Sequence, residues 1–410
     1  MSDDRDSPER PAGEPPTVPA AIDRPIRQDP PATDRSVLDD AIAERDAVGF
    51  VAVGNRHDAD LRFLTRFAAE DNYAYVRTSE ESVLCAPSGH VARATRQFDG
   101  RVASDRLGSH PGERAAAVLE EVPGESSAGP QTVLVPPSIP HDAVVYLERA
   151  GYELRSTTAV ADARATKTDG EIDAVRAVQR AAGRAVDRAE RVLSAADQGG
   201  DSELQWNDAP LTPERLRRIA NAELGCHGVD SAANTAVVAG AAGDEATGAE
   251  PIYTDEPIRI DVAPRGPHGY HGFRSRTVVV DSDGGWDRRA YVAVEAALEA
   301  ALDEVEPGAD AADLRREADA ELAAFGFDTT GGREAGGSDP IEPGHGVGLS
   351  RRERPFLRAG ETLEVGTVLA VAPGLTDPAH GSVRVGDLVV VTETGYEVVG
   401  DGRRSFTPRG

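Results

Sequence analysis

Two short stretches of this chain concentrate the residues that could do chemistry. In Ile258–Val280, Asp261 sits among Ile258, Ile260 and Val262, and His268 and His271 follow it. A carboxylate inside an apolar run is costly to bury unless something pairs with it. In Gly344-His345-Gly346-Val347-Gly348-Leu349 an imidazole lies in a glycine-rich turn. One carboxylate, His345 and one of the two hairpin imidazoles are metal-binding chemistry if the fold brings them together. The positioning elements are legible: alternation predicts a strand over 258–262, and β-branching predicts a second over 277–280. The Gly/Pro-rich segment 264–269 between them has turn chemistry, so the two runs should form a hairpin.

Further segments extend this pattern. An Asp in a first strand, then Gly269-Tyr270, then Arg276-Thr277 entering a second strand resembles the core hairpin of the creatinase/prolidase/methionine-aminopeptidase peptidases, the pita-bread fold. Segment 344–349 is similar to that family's G-H-G-x-G-L. Val371-Ala372-Pro373-Gly374-Leu375 falls where the family has I-E-P-G-L, and Val383-Arg384-Val385-Gly386-Asp387 where it has V-R-I-E-D. Asp60–Phe67 resembles the N-I-R-Y-L-T-G-F of the N-terminal lobe, with Arg66 in place of glycine, and Ala163–Ile172 resembles the R-x-I-K-S-x-x-E-I that opens the C-terminal domain.

The resemblance implies a ligand set. In active members two Asp, one His and two Glu hold two divalent metals that activate a water for peptide-bond attack. Those positions fall on Asp261, Phe273, His345, Ala372 and Gly386, so three of five lack a ligand side chain. One carboxylate remains of four, too little to offset two divalent cations. The family's substrate-binding His falls near Thr247, and its His-Glu pair falls on Arg352-Glu353. Tyr270, Arg276, Thr247, Arg352 and Glu353 are the expected lining of the cleft. His271, two residues before Phe273, is a candidate substitute ligand that with Asp261 and His345 would give a single-metal set. The competing reading makes His271 an exposed hairpin residue, with Asp261 satisfied by His345, Arg274 or Arg276. Lys167 and the run Arg351–Arg354 read as solvated surface.

Composition narrows the function classes. The 410 residues carry 71 acidic and 44 basic side chains, a net charge of −27, and all but one of the basic residues are arginine. Such acidity argues against a nucleic-acid partner. It resembles the bias of proteins adapted to a saline cytoplasm, where screening relieves carboxylate repulsion; a high-GC genome alone is the simpler alternative. The two cysteines, Cys85 and Cys226, offer no disulfide framework. The sequence shows neither a membrane-length apolar run nor a signal-peptide core, so the expectation is a cytoplasmic protein with no membrane partner.

The expected organisation is a disordered, proline-rich acidic tail over 1–35, an α/β lobe over 36–157, a pita-bread α+β domain over 158–402 and a short tail over 403–410. Ser36 should cap a first helix, and Thr168 with Glu171 form a capping box ahead of a long helix. Thr212-Pro213 opens another. Further helices are expected over about 287–304 and 310–325. The leading functional expectation is a catalytically inactive, Xaa-Pro peptidase-like protein that needs no cofactor. It would bind a peptide or protein in its vestigial cleft and could pair as a homodimer. The alternatives are an active Xaa-Pro aminopeptidase or dipeptidase with two Mn, Co or Zn ions, and a metal-free amidinohydrolase like creatinase.

Overall fold

A computed structural model describes residues 29–103, 108–121, 130–242, 248–327, 339–358 and 360–410. The first lobe is built on strands β1 (Gly49–Gly54), β2 (Tyr73–Arg77), β3 (Ser82–Cys85), β4 (Arg101–Ala103), β5 (Thr132–Val135) and β6 (Glu153–Ser156), in the order β4-β3-β2-β1-β5-β6. Its helices are α1 (Ser36–Glu44), α2 (Ala59–Thr65), α3 (Val91–Gln97), α4 (Pro111–Glu120), α5 (His141–Arg149) and α6 (Ala159–Ala163). The central strand β1 reads Gly-Phe-Val-Ala-Val because both faces are covered: Phe50 and Ala52 enter one apolar cluster, Val51 and Val53 another.

The second lobe begins with α7 (Asp169–Ser194), started by the capping box of Thr168 and Glu171. Its stripe Val178, Ala182, Val186, Ala189 and Leu193 packs with Leu216, Ala220 and Leu224 of α8 (Pro213–Cys226). A two-residue hairpin, β7 (Asp197–Gln198) and β8 (Leu204–Gln205), lies between these helices in sequence. Under them β10 (Ile258–Val262) is antiparallel to both β9 (Thr235–Ala239) and β11 (Arg274–Val278). Ile258, Ile260 and Val262 face α7 and α8, so the pleat puts Arg259 and Asp261 on the other face. The helices α9 (Trp286–Asp303) and α10 (Ala311–Ala324) cover the remaining strands: β12 (Asp339–Ile341), β13 (Gly344–Gly346), β14 (Glu353–Phe356), β15 (Val368–Val371), β16 (Gly374–Asp377), β17 (Gly381–Arg384), β18 (Asp387–Thr392) and β19 (Gly395–Val398). These pair antiparallel in the orders β12-β16-β17 and β14-β13-β15-β18-β19. A Ser275–Gly386 backbone bridge ties β11 to the turn between β17 and β18.

Several expectations change. The second hairpin strand starts at Arg274 rather than Thr277, because two buried arginines are tolerated there. Arg274 pairs with Asp401 at 2.7 Å and Arg276 with Asp387 at 2.6 Å. The cap of α1 is not Ser36; Asp34 Oδ1 accepts the Ser36 amide at 2.9 Å instead. Of the supposed N-terminal tail, residues 1–28 lie outside the described residues, whereas Thr33 donates to the Phe63 carbonyl at 2.7 Å. Residues 403–410 also pack on the body, with Phe406 buried and Arg409 paired to Glu190 at 2.7 Å. Arg66, which replaces the glycine of the lobe motif, caps α2 at φ +56 and pairs with Asp99 at 2.9 Å. The motif's glycine is therefore a backbone requirement that this chain meets with a strained arginine.

Candidate functional site

The hairpin and the β13–β18 strands bring Asp261, Phe273, His345, Ala372 and Gly386 into one neighbourhood. Asp261 is half-buried. It accepts a hydrogen bond from the Ser275 hydroxyl and lies 3.2 Å from Arg259 Nε and 3.9 Å from Arg384 Nη1. Its partners are thus Ser275, Arg259 and Arg384, not the expected His345, Arg274 or Arg276. Arg259 was findable, since residues two apart share a strand face. Arg384 Nε donates to the Ala372 carbonyl at 3.1 Å, and its guanidinium stands 5.4 Å from the centre of the Phe273 ring. Burial holds Arg384 below its ordinary pKa, with Asp261 opposing that effect.

Phe273 is fixed at its backbone by Gln179 of α7, whose amide accepts from Phe273 N and donates to Phe273 O, both at 2.8 Å. The ring stands edge-on to His345, centroids 6.2 Å apart. His345 Nδ1 lies 3.0 Å from the Gly346 carbonyl, so Nδ1 carries the proton. Burial, and behind it the Arg352 and Arg384 charges, push the imidazole down to about 4, leaving it neutral. A Cβ at Gly386 would overlap the Ala372 side chain. The φ of Gly386 is not positive, so its constraint is space rather than backbone conformation.

The other expected residues are placed differently. His271 is buried, not exposed; its Nδ1 lies 3.2 Å from the Gly348 carbonyl, and burial lowers its pKa to about 4. It lines a different cavity from Asp261. Tyr270 is buried and donates to Glu171 at 2.7 Å, and Arg276 is buried against Asp387 and the Gly386 carbonyl. Glu353 is enclosed by Arg164 and by Lys167 at 2.9 Å. Burial alone would raise the Glu353 carboxyl, but Lys167 and Arg164 hold it below its ordinary value. Lys167 is therefore a core ion-pair partner, because a buried carboxylate needs a buried cation. Arg352 is exposed, and Thr247 lies outside the described residues. Of the expected lining residues, Tyr270, Arg276, Arg352 and Glu353 border neither described cavity.

Asp261, Arg259, Phe273 and Arg384 border a cavity of about 680 Å³ whose wall includes β9 and the acidic residues Glu214 and Glu256. It is of a size for a small peptide or metabolite. The donor set does not fit a two-metal centre. Three of the five positions have no donor atom, Phe273 and Ala372 belong to a continuous apolar cluster, and the carboxylate left over is already engaged by two guanidinium groups. Among the described residues, no three His, Cys, Asp or Glu side chains are grouped so as to hold a metal ion.

Comparison with known proteins agrees with this architecture. Residues 173–393 match metallopeptidase family M24. The structure superposes on the prolidase of Pyrococcus horikoshii with a TM-score of 0.74 at 18% identity, covering 90% of this chain and 99% of that one. At that identity the likeness shows the fold, the pita-bread domain with its α/β N-terminal lobe. The chain is 29% identical over 160 residues to a probable dipeptidase PepE of Mycobacterium tuberculosis, covering 36% of this chain and 40% of the relative. It is 33% identical over 128 residues to a Xaa-Pro dipeptidase of Pyrococcus furiosus, covering 31% and 34%. The matched stretch thus spans well under half the length of either relative. The chain belongs to metallopeptidase family M24. Among the described residues no helix is long and apolar enough to cross a membrane.

Proposed function

We propose that this protein is a peptidase-like member of the family in which the two-metal centre has been replaced by a metal-free core, and that the remaining cleft binds a peptide or protein ligand. The observation that carries this reading is the fate of the ligand positions. Phe273 and Ala372 are 5% and 0% exposed within apolar packing, and Gly386 is closed against Ala372. Arg384 lies over Phe273 and near Asp261, so a guanidinium group faces the one carboxylate that remains. Replacing clustered carboxylates with apolar groups removes the repulsion they would suffer without metal. The cleft offers guanidinium and carboxylate groups together, a mixture suited to a zwitterionic chain end.

Family membership is what favours the second reading, an active Xaa-Pro dipeptidase or aminopeptidase. The two are separated by incubating the purified protein with Mn²⁺, Co²⁺ or Zn²⁺, removing excess ion, and measuring bound metal alongside Xaa-Pro cleavage. The expected result is no stoichiometric metal and no cleavage. Stoichiometric metal that is lost on Asp261→Ala overturns the proposal.

A further inference from the structure

A second cavity, of about 990 Å³, lies at the seam between the lobes, with a wall from each. Its charge runs against that of the whole chain. Arg56, Arg62, Arg93, Arg265 and Arg351 line it, against the carboxylates Glu70 and Asp230, an excess of three positive charges. Glu70 is already paired to Arg56. Arg62, Arg93 and Arg265 are held by main-chain oxygens rather than by acids. Arg62 donates to the His268 and Pro267 carbonyls at 3.0 and 2.9 Å, Arg265 to the Arg56 carbonyl at 3.0 Å, and Arg93 to the Ala68 carbonyl. In a chain with 71 acidic residues a carboxylate partner is easily supplied, so gathering arginines without matching acids needs a reason. Burial, and then the neighbouring Arg56 charge, hold Arg265 below its ordinary value, with Asp230 opposing them. Arg93 and Arg351 are exposed, while Arg56, Arg62 and Arg265 are half-buried, so the cluster is open to a ligand yet anchored.

We propose that this seam binds a small oxyanion of two or more negative charges, a phosphate ester or a polycarboxylate, between guanidinium groups contributed by both lobes. Guanidinium forks match both oxyanions bidentately, and carbonyl-anchored guanidiniums lose little freedom on binding. A monocarboxylate would leave most of the excess charge uncompensated. The assignment is independent of whether the neighbouring cleft has lost its metals, although Asn234 and Arg351 border both cavities.

The test is calorimetric titration of the full chain with sodium pyrophosphate and, separately, with sodium citrate, against KCl of matched ionic strength and at the lowest KCl that keeps the protein folded. Saturable binding near one per chain is expected. Tighter binding of pyrophosphate would point to phosphate esters, and tighter binding of citrate to polycarboxylates. Arg93→Gln with Arg265→Gln, one from each lobe, should weaken binding at least about tenfold, since two charge-assisted contacts are removed. Arg155→Gln, on the outer strand β6, should leave it unchanged. If the Arg265 variant does not fold, Arg93→Gln with Arg351→Gln, both exposed, carries the same expectation. No saturable binding of either anion, or equal weakening by Arg155→Gln, overturns the proposal.

Discussion

Replacing Asp261 with alanine separates its role as a counter-ion from its role as a metal ligand. The carboxylate lies 3.2 Å from Arg259 and 3.9 Å from Arg384, whose side chains are 7% and 16% exposed, and it accepts the Ser275 hydroxyl. Asp261→Ala leaves two guanidinium groups near each other without their shared anion. Breaking a fully buried pair in this way costs about 3–5 kcal/mol. Asp261 retains 18% exposure, and Arg259 keeps the Ser382 hydroxyl while Arg384 keeps the Ala372 carbonyl. The loss should therefore fall to about 2–3 kcal/mol. Urea unfolding at fixed KCl would read it as a lower midpoint at unchanged slope. The double variant Asp261→Ala/Arg384→Ala should be less destabilised than the sum of its single variants, because the second change removes a cation the first left unpaired. A vestigial ligand carboxylate with no structural task gives the opposite sign. Unchanged or raised stability in Asp261→Ala, with additive behaviour in the double variant, would refute the counter-ion assignment.

Gly386→Ala should lower stability by about 1–3 kcal/mol, since its Cβ overlaps Ala372; thermal unfolding checks this, and Gly386→Ala with Ala372→Gly should recover part of the loss. His271 and His345 each have a pKa of about 4 in the folded protein against 6.5 for the ordinary group. The unfolded chain therefore binds more protons between those values, so stability should fall as pH drops from about 6.5 to about 4. The slope is about 1.4 kcal/mol per pH unit for each histidine, and His345→Gln should remove one share of it in pH-dependent urea midpoints. With a net charge of −27, the thermal midpoint should rise from dilute to molar KCl, where the screening length shortens to about 3 Å; equal midpoints would count against charge repulsion as the salt-sensitive term.

Periodicity and motif order carried much of the fold. The pleat of Ile258–Val262, the stripe on α7 and the Thr168–Glu171 cap are local rules, and local rules survive in a linear chain. What escaped was the pairing of charges distant in sequence. Lys167 reads as surface by type, yet Glu353, 186 residues on, makes it a core residue. Arg274 and Arg276 look like interruptions of a strand until Asp401 and Asp387 are placed beside them. At the site, Phe273, Ala372 and Gly386 were legible in the sequence as residues without a metal-ligating side chain. The contact of Arg384 with the Phe273 ring was not, because it depends on which way a long side chain turns. A net charge of −27 likewise conceals five arginines that gather only when the lobes meet.

One apolar cluster runs without interruption from Leu38, Phe50 and Leu61 in the first lobe to Tyr270, Leu349 and Leu388 in the second. A hinge that parted the lobes would expose this apolar middle to water, at a cost proportional to the area uncovered. The lobes should move and melt as one body, and whatever enters at their junction meets walls already at their final spacing. Recognition there costs little ordering entropy, and its selectivity is that of a fixed aperture rather than of a closing jaw.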